Sequence, residues 1–357
     1  LAHEENPPPE ITANESVDPN WHEVIELDIV SIELGFRLIS LVDESQGAKL
    51  LKQMRGVRLQ LSKQFGFVLP RFHMRDNLDL PPNDYQILVG GAVIGAGAIY
   101  PEQILALSNA QISTDLEGIK VTEPAFGLPA IWIEQEKSAY AQSLGYSLVD
   151  ASSVLATHLH QVLSQNVAGL LGIDETNAWL EVLAQNQPKL AEQLVPQAIS
   201  LPNLLLLLAA LLKEQISIKD MRQIALTICT NANKNANAAA LLAAVRIALA
   251  RQIVQGLIGA KKELKALALS GELEHLLQNS ISHNLLLEPN LAQNLSNLMH
   301  QACSEFAAQN LTPILLVADI LRAHLAQFAQ ANCPKLQVLS FSEIPTEMTV
   351  NLVQQIG

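Results

Sequence analysis

The residues that could do chemistry are few and poorly grouped. His158 and His160 are the closest pair of histidines, and a His-x-His pair is a familiar start for a metal site or a proton relay. On a helix, residues two apart point about 200° away from each other, so this pair cannot share a metal ion. Gly90, Gly91, Gly95 and Gly97 suggest a phosphate loop, but their spacing is GG-x-x-x-G-x-G, and no helix follows with its N-terminus facing them. A two-residue turn at Gly90-Gly91, reversing one strand into the next, accounts for them better. Cys229, Cys303 and Cys333 are too few and too scattered for a disulfide framework or a zinc site; they read as buried thiols of a reducing compartment. Asp319 and Glu343 flank the C-terminal strands, where any α/β domain carries carboxylates by chance. The HExxH, CxxC, P-loop and GxSxG patterns are absent from the sequence. A Ser-His-Asp triad built from distant positions stays open, so a mixed α/β metabolic enzyme is the rival reading. The pattern favours a protein that binds or assembles over one that catalyses, and it implies no cofactor.

One stretch is shaped for recognition. Thr122-Glu123-Pro124-Ala125-Phe126-Gly127-Leu128-Pro129 places an aromatic between two prolines and beside a glycine. The prolines restrict the backbone and Gly127 permits a positive φ, which predicts a fixed turn. Ala130 to Ile133 then reads as a strand, and Glu134 to Leu144 as a helix stopped by Gly145. A second strand is expected over Tyr146–Val149. Asp150 or Ser152 should cap a longer helix that runs through Thr157 to Leu171. A rigid turn presenting Phe126, followed by a helix that shows a hydroxyl at Thr157, reads as a protein-binding surface.

The elements around this stretch come in blocks. Residues 1–28 carry eight carboxylates, four prolines and no Lys or Arg, the composition of a solvated linker with Trp21 as its one large aromatic. A strand near Ile32–Leu38, a helix with Leu50, Met54, Val57, Leu61 and Phe65 on one face, short strands at Phe67–Leu69 and Phe72–Met74, and the Gly90-Gly91 hairpin form a first α/β unit. Helices dominate from Asp174, with caps expected at Asp174, Ser200 and Ser217 and one continuous helix over 236–255. From Glu263, strands and helices alternate again, ending in a weak tail.

At 357 residues and 49% hydrophobic content, the chain can bury several cores. Its net charge of −13 excludes a general nucleic-acid binder. The longest apolar run, Leu204–Leu212, is about half the ~20 residues of a membrane span. No secretory signal is visible, and the chain opens on Leu1 rather than Met, so an upstream portion is expected.

Several short motifs stand in order along this chain: Leu34-Gly35-Phe36-Arg37-Leu38-Ile39, Val42-Asp43, Arg75-Asp76-Asn77-Leu78, Pro124-Ala125-Phe126-Gly127-Leu128, Ala156-Thr157-His158-Leu159, Pro188-Lys189-Leu190, Leu194-Val195-Pro196, Ile218-Lys219-Asp220-Met221-Arg222 and Val338-Leu339-Ser340. Over residues 20–345 the sequence resembles the cytoplasmic region of the type III export gate (FlhA/SctV) family, its flagellar branch first and its injectisome branch as the alternative. The resemblance implies a membrane-embedded N-terminal half at the bacterial inner membrane and an acidic linker over 1–28. It also implies a multi-subdomain α/β (mixed α+β) cytoplasmic part. There the first subdomain, expected to be ferredoxin-like, would span 29–101 and 151–171. A small inserted α/β subdomain would occupy 102–150, a helical third 172–250 and an α/β fourth 251–357. Such proteins form nine-membered rings that receive export chaperone–substrate complexes for flagellar protein export and work with components of the export ATPase complex, without hydrolysing ATP themselves. By the same resemblance Phe126 is the apolar anchor of a chaperone-docking dimple, Thr157 its hydroxyl and Glu123 its acidic member, where the family commonly has Asp. Trp21 is the linker aromatic that packs on an adjacent subunit.

Overall fold

The computed structural model of the protein describes residues 28–42, 49–108, 116–232, 237–282, 288–309 and 311–357. The acidic stretch before Asp28, Trp21 with it, lies outside the described residues, as do residues 233–236. The chain divides into two compact units, one made from residues up to 48 with 70–151, the other from 49–69 with 152–357.

The first unit holds two four-stranded sheets. In one, β1 (Val30–Leu34), β2 (Phe72–Asp76), β3 (Asp84–Val89) and β4 (Ala92–Ala98) lie in the order β2-β1-β3-β4. Val30, Ile32 and Leu34 are buried, as period-two alternation requires of a strand with a core face. Gly90 and Gly91 both have positive φ, at 55° and 78°, which is the primed turn that matches the twist of a tight hairpin. The ferredoxin-like arrangement expected for this region is not seen in the sheet. A split βαβ unit keeps a strand between its two parallel strands, whereas β1 and β2 are direct parallel neighbours and β3 occupies the other edge of β1. Alternation fixes which face of a strand is buried and leaves its edge partners unspecified.

The second sheet comprises β5 (Gln103–Leu107), β6 (Ile119–Thr122), β7 (Pro129–Glu134) and β8 (Ser147–Asp150), all antiparallel in the order β6-β7-β5-β8. Ala106, Ile131 and Ile133 form its core with Ala141 and Tyr146. Trp132 points to the opposite face and meets Tyr100 edge-on, with ring centroids 5.5 Å apart. Between β7 and β8 the expected helix is a 3-10 turn and a short helix, Ser138–Ser143, and Gly145 ends it at φ 92°.

The second unit begins with α1 (Lys49–Phe65), which buries Leu50, Met54, Val57, Leu61 and Phe65. The strand expected at Phe67–Leu69 does not form. Leu69 gives its N–H to Ser62 Oγ at 3.0 Å and accepts at its carbonyl from Arg58 Nε at 2.8 Å, which removes its backbone from any ladder. α2 (Ala151–Gln165) gives way to a 3-10 turn before α3 (Ile173–Asn186). Glu175, not Asp174, closes the start of α3 by accepting the Gly172 N–H at 2.9 Å. α4 (Pro188–Glu192) and α5 (Leu201–Lys213) follow, Ser200 Oγ accepting from the Asn203 N–H as expected. α6 (Met221–Asn231) is capped by Asp220 instead of Ser217, whose hydroxyl donates to the Phe65 carbonyl. The long helix expected over 236–255 is two, α7 (Ala238–Ala248) and α8 (Ala250–Ile258), bent by 63° at Leu249. Among the described residues no single helix is long and apolar enough to cross a membrane.

A parallel sheet completes this unit: β9 (Glu263–Leu269), β10 (Ile314–Val317), β11 (Gln337–Ser340) and β12 (Thr349–Ile356) in the order β11-β10-β9-β12. All four residues of β10 are buried, as parallel sheets covered on both faces demand. α9 (Gly271–Ser282), α10 (Pro289–Ala308) and α11 (Asp319–Asn332) supply Leu277, Met299, Phe306 and Leu325 to the core. β12 replaces the weak tail expected there. It is an edge strand exposed along most of its length, and so lacks the alternation that marks a half-buried one.

A buried charge network ties α7 to the sheet. Arg246 donates to both Glu343 oxygens, at 2.6 and 2.8 Å, and to Glu214 at 2.5 Å, while Arg322 donates to Glu214 at 2.5 Å. Arg246 is 2% and Glu343 1% exposed. Burial opposes the charge on Arg246, and the two carboxylates outweigh it. Glu343 is therefore the hub of a network and not an incidental carboxylate. Ser340-x-x-Glu343 is a capping box, the sequence signal that could have singled it out.

Candidate functional site

The turn that carries Phe126 is the loop of the β6–β7 hairpin. Thr122 pairs with Pro129 as the last rung, and the Glu123 N–H donates to the Leu128 carbonyl at 2.8 Å to close the loop. Inside it, Glu123 behaves as the cap of a single helical turn. Its Oε1 accepts from the Ala125 N–H at 2.9 Å and its Oε2 from the Phe126 N–H at 2.7 Å. Pro124 sits where a first helical residue needs no donor, and Gly127, at φ 71°, gives its N–H back to the Glu123 carbonyl at 3.0 Å.

The consequence is a division of labour. Glu123 is 5% exposed, with both oxygens engaged by the backbone, so it supplies the shape of the turn. Phe126 and Leu128 are 64% and 44% exposed and form an apolar tip. Behind the turn, the Tyr85 ring is fully buried against Gly97, where a Cβ would meet its hydroxyl at 2.8 Å. Burial first, then the negative charge of Glu123, pushes the Tyr85 phenol well above its ordinary pKa, so it stays protonated. Glu reaches both loop N–H groups despite its extra methylene. Hydrogen bonds to a charged acceptor contribute about 1.5–3 kcal/mol each, and an orphaned donor adds to the loss. Glu123→Ala is therefore expected to lower stability by roughly 2 kcal/mol or more. An unchanged urea midpoint would show that the carboxylate does not hold the turn.

Thr157 stands on α2, in the other unit. It is exposed, and its hydroxyl donates to the Ser153 carbonyl at 2.8 Å, leaving oxygen lone pairs to accept from a partner. Its neighbour His158 is buried. His160 is half-buried with Nε2 unpaired, and burial lowers its pKa so that it is neutral at pH 7. Among the described residues no group of three or more His, Cys, Asp or Glu side chains could hold a metal ion. Cys303 and Cys333 approach to 2.9 Å in the core as free thiols, and burial with the Cys333 contact pushes the Cys303 thiol up, away from reactivity.

The model of the FHIPEP family matches residues 2–349. This chain belongs to the FHIPEP family. It is 37% identical to the flagellar biosynthesis protein FlhA of Proteus mirabilis and 38% identical to that of Escherichia coli K12, each over 344 residues and 96% of this chain. The FlhA protein of Bacillus subtilis is 31% identical over 340 residues. The chain spans about half the length of these relatives, 49%, 50% and 50% respectively. The FHIPEP fold also matches solved structures. That of the Chlamydia pneumoniae CdsV protein has a TM-score of 0.80 at 23% identity, covering 93% of this chain and 98% of the other. Nonameric EPEC SctV-C gives 0.71 at 17% identity, covering 92% and 98%.

Proposed function

We propose that this chain is the docking platform of a bacterial type III protein export gate, the part that stands at the cytoplasmic face of the inner membrane and receives chaperone–substrate complexes for flagellar export. The observation that carries the reading is the turn itself: an apolar tip of Phe126 and Leu128, held rigid from behind by Glu123. Exposed aromatics on a preorganised backbone are what protein-binding hot spots are made of. Identities of 37–38% to flagellar relatives support the flagellar branch over the injectisome one.

In this reading Phe126 and Thr157 contact the chaperone complex, and Glu123 positions Phe126. The acidic segment over 1–28 links the platform to a membrane-embedded portion, and Trp21 packs on a neighbouring copy within a ring, in keeping with the nonameric assembly of EPEC SctV-C. The subdomains follow the boundaries 29–101 with 151–171, 102–150, 172–250 and 251–357. Components of the export ATPase complex are further partners, and transport energy comes from elsewhere than this chain. The test is a pull-down with this chain from the source cell. Flagellar chaperone–cargo pairs are the expected catch, and retention of none of them would overturn the proposal.

A further inference from the structure

The C-terminal sheet holds a cleft of about 680 Å³ that the Phe126 turn does not use. Leu257, Ile258 and Leu311 give it apolar walls, and Lys261, Lys262 and Lys265 crowd its rim. The volume falls within the ~300–1,000 Å³ of ordinary ligand sites. All three lysines are exposed, and none pairs with a carboxylate among the described residues. Glu263, the one acid of the lining, is already bonded by the Asn351 amide at 2.9 Å.

Such a concentration of positive charge is unusual in a chain with 35 acidic and 22 basic residues. Lysines often blunt the edge of a sheet, but that does not explain these. Lys265 lies in β9, an interior strand flanked by β10 and β12, and the other two precede it. Unpaired like charges held together call for an anionic counterpart.

Beside the cleft runs an open edge. β12 starts at Thr349, a lining residue, and among the described strands pairs with β9 alone. Val350, Leu352 and Val353 on it are exposed, and the register shift between Leu352 and Gln354 leaves Val353 outside the ladder. An edge strand of this kind offers unpaired backbone groups to an added strand. The apolar walls and the strand edge suit a peptide better than a small dianion, for which the lining supplies no glycine backbone cradle.

The geometry points to a second binding site, separate from the docking turn, that takes an extended acidic segment of a partner protein: backbone against β12, carboxylates against Lys261, Lys262 and Lys265, one apolar side chain among Leu257, Ile258 and Leu311. The probe is a fluorescein-labelled peptide alternating Glu and Val over twelve residues, titrated by anisotropy against the full chain. Saturable binding is expected. Lys261→Glu combined with Lys265→Glu should weaken it roughly tenfold or more, and the Lys-Val counterpart should not bind. Val353→Pro, at a bulge position where proline spares the ladder to β9, should weaken it several-fold. Far-UV circular dichroism and melting confirm that each variant is folded, and should Val353→Pro not fold, the lysine variants carry the test. Equal binding by the double lysine variant, or equal binding of the Lys-Val peptide, overturns the proposal. So does full displacement by millimolar pyrophosphate with Val353→Pro inert, which marks a small-anion site. A changed oligomeric state of the lysine variant in light scattering, with peptide affinity intact, assigns the face to contact between copies and overturns it equally.

Discussion

Glu343→Ala should lower the unfolding free energy of the second unit by about 3–5 kcal/mol, because it strands a buried guanidinium. Arg246 is 2% exposed and gives two of its donors to Glu343. Without them, among the described residues, Glu214 alone remains to balance both Arg246 and Arg322. The loss is larger than the net worth of the intact network, since much of it is the cost of an unpaired charge in the core. Arg251→Ala is the matched control. Arg251 pairs with Glu347, but their side chains are 71% and 49% exposed, and solvent screens such a pair almost completely. Urea denaturation of the three proteins should show a large midpoint shift for Glu343→Ala and almost none for Arg251→Ala. Similar small shifts would mean that the network does not hold α7 to the sheet.

Phe126→Ala should cost roughly 2 kcal/mol of affinity for a chaperone–substrate complex, about thirtyfold in Kd, with the fold unaffected. The ring is 64% exposed, so removing it opens no cavity in the core. Its loss is felt only where a partner covers it. Phe126→Leu keeps apolar area without the ring and should fall between the two. Glu123→Ala should reach a related end by a different route, loosening the turn so that Phe126 is no longer preorganised, and unlike Phe126→Ala it should also lower stability. Calorimetric titration paired with melting separates the two mechanisms.

Local pattern made much of this fold legible. The glycine hairpin at 90–91, the buried face of α1, the Ser200 cap and the all-apolar β10 rest on short-range stereochemistry and appear where their residues demand. Features set by distant partners were not legible. Nothing near Leu249 announces the bend between α7 and α8, and nothing near Arg246 announces that its partners are 32 and 97 residues away. β12 escaped notice because an exposed edge strand carries no alternation, and the ferredoxin-like expectation failed on strand order, which hydrophobic pattern does not encode. At the turn, Pro124 and Gly127 foretold a rigid loop. The two-pronged role of Glu123 is set by the folded turn and not by residue type, since a carboxylate beside an exposed aromatic can equally face a partner.

Contact between Phe126 and the chaperone–substrate complex is the centre of the proposed function, and site-specific photo-crosslinking tests that contact directly. A photoreactive phenylalanine analogue at position 126 is compared with the same analogue at Phe341, an aromatic 54% exposed elsewhere on the chain. Crosslinks to the chaperone complex from position 126 and none from 341 are the predicted result. Crosslinks absent at 126 while binding persists would contradict the docking role of the turn.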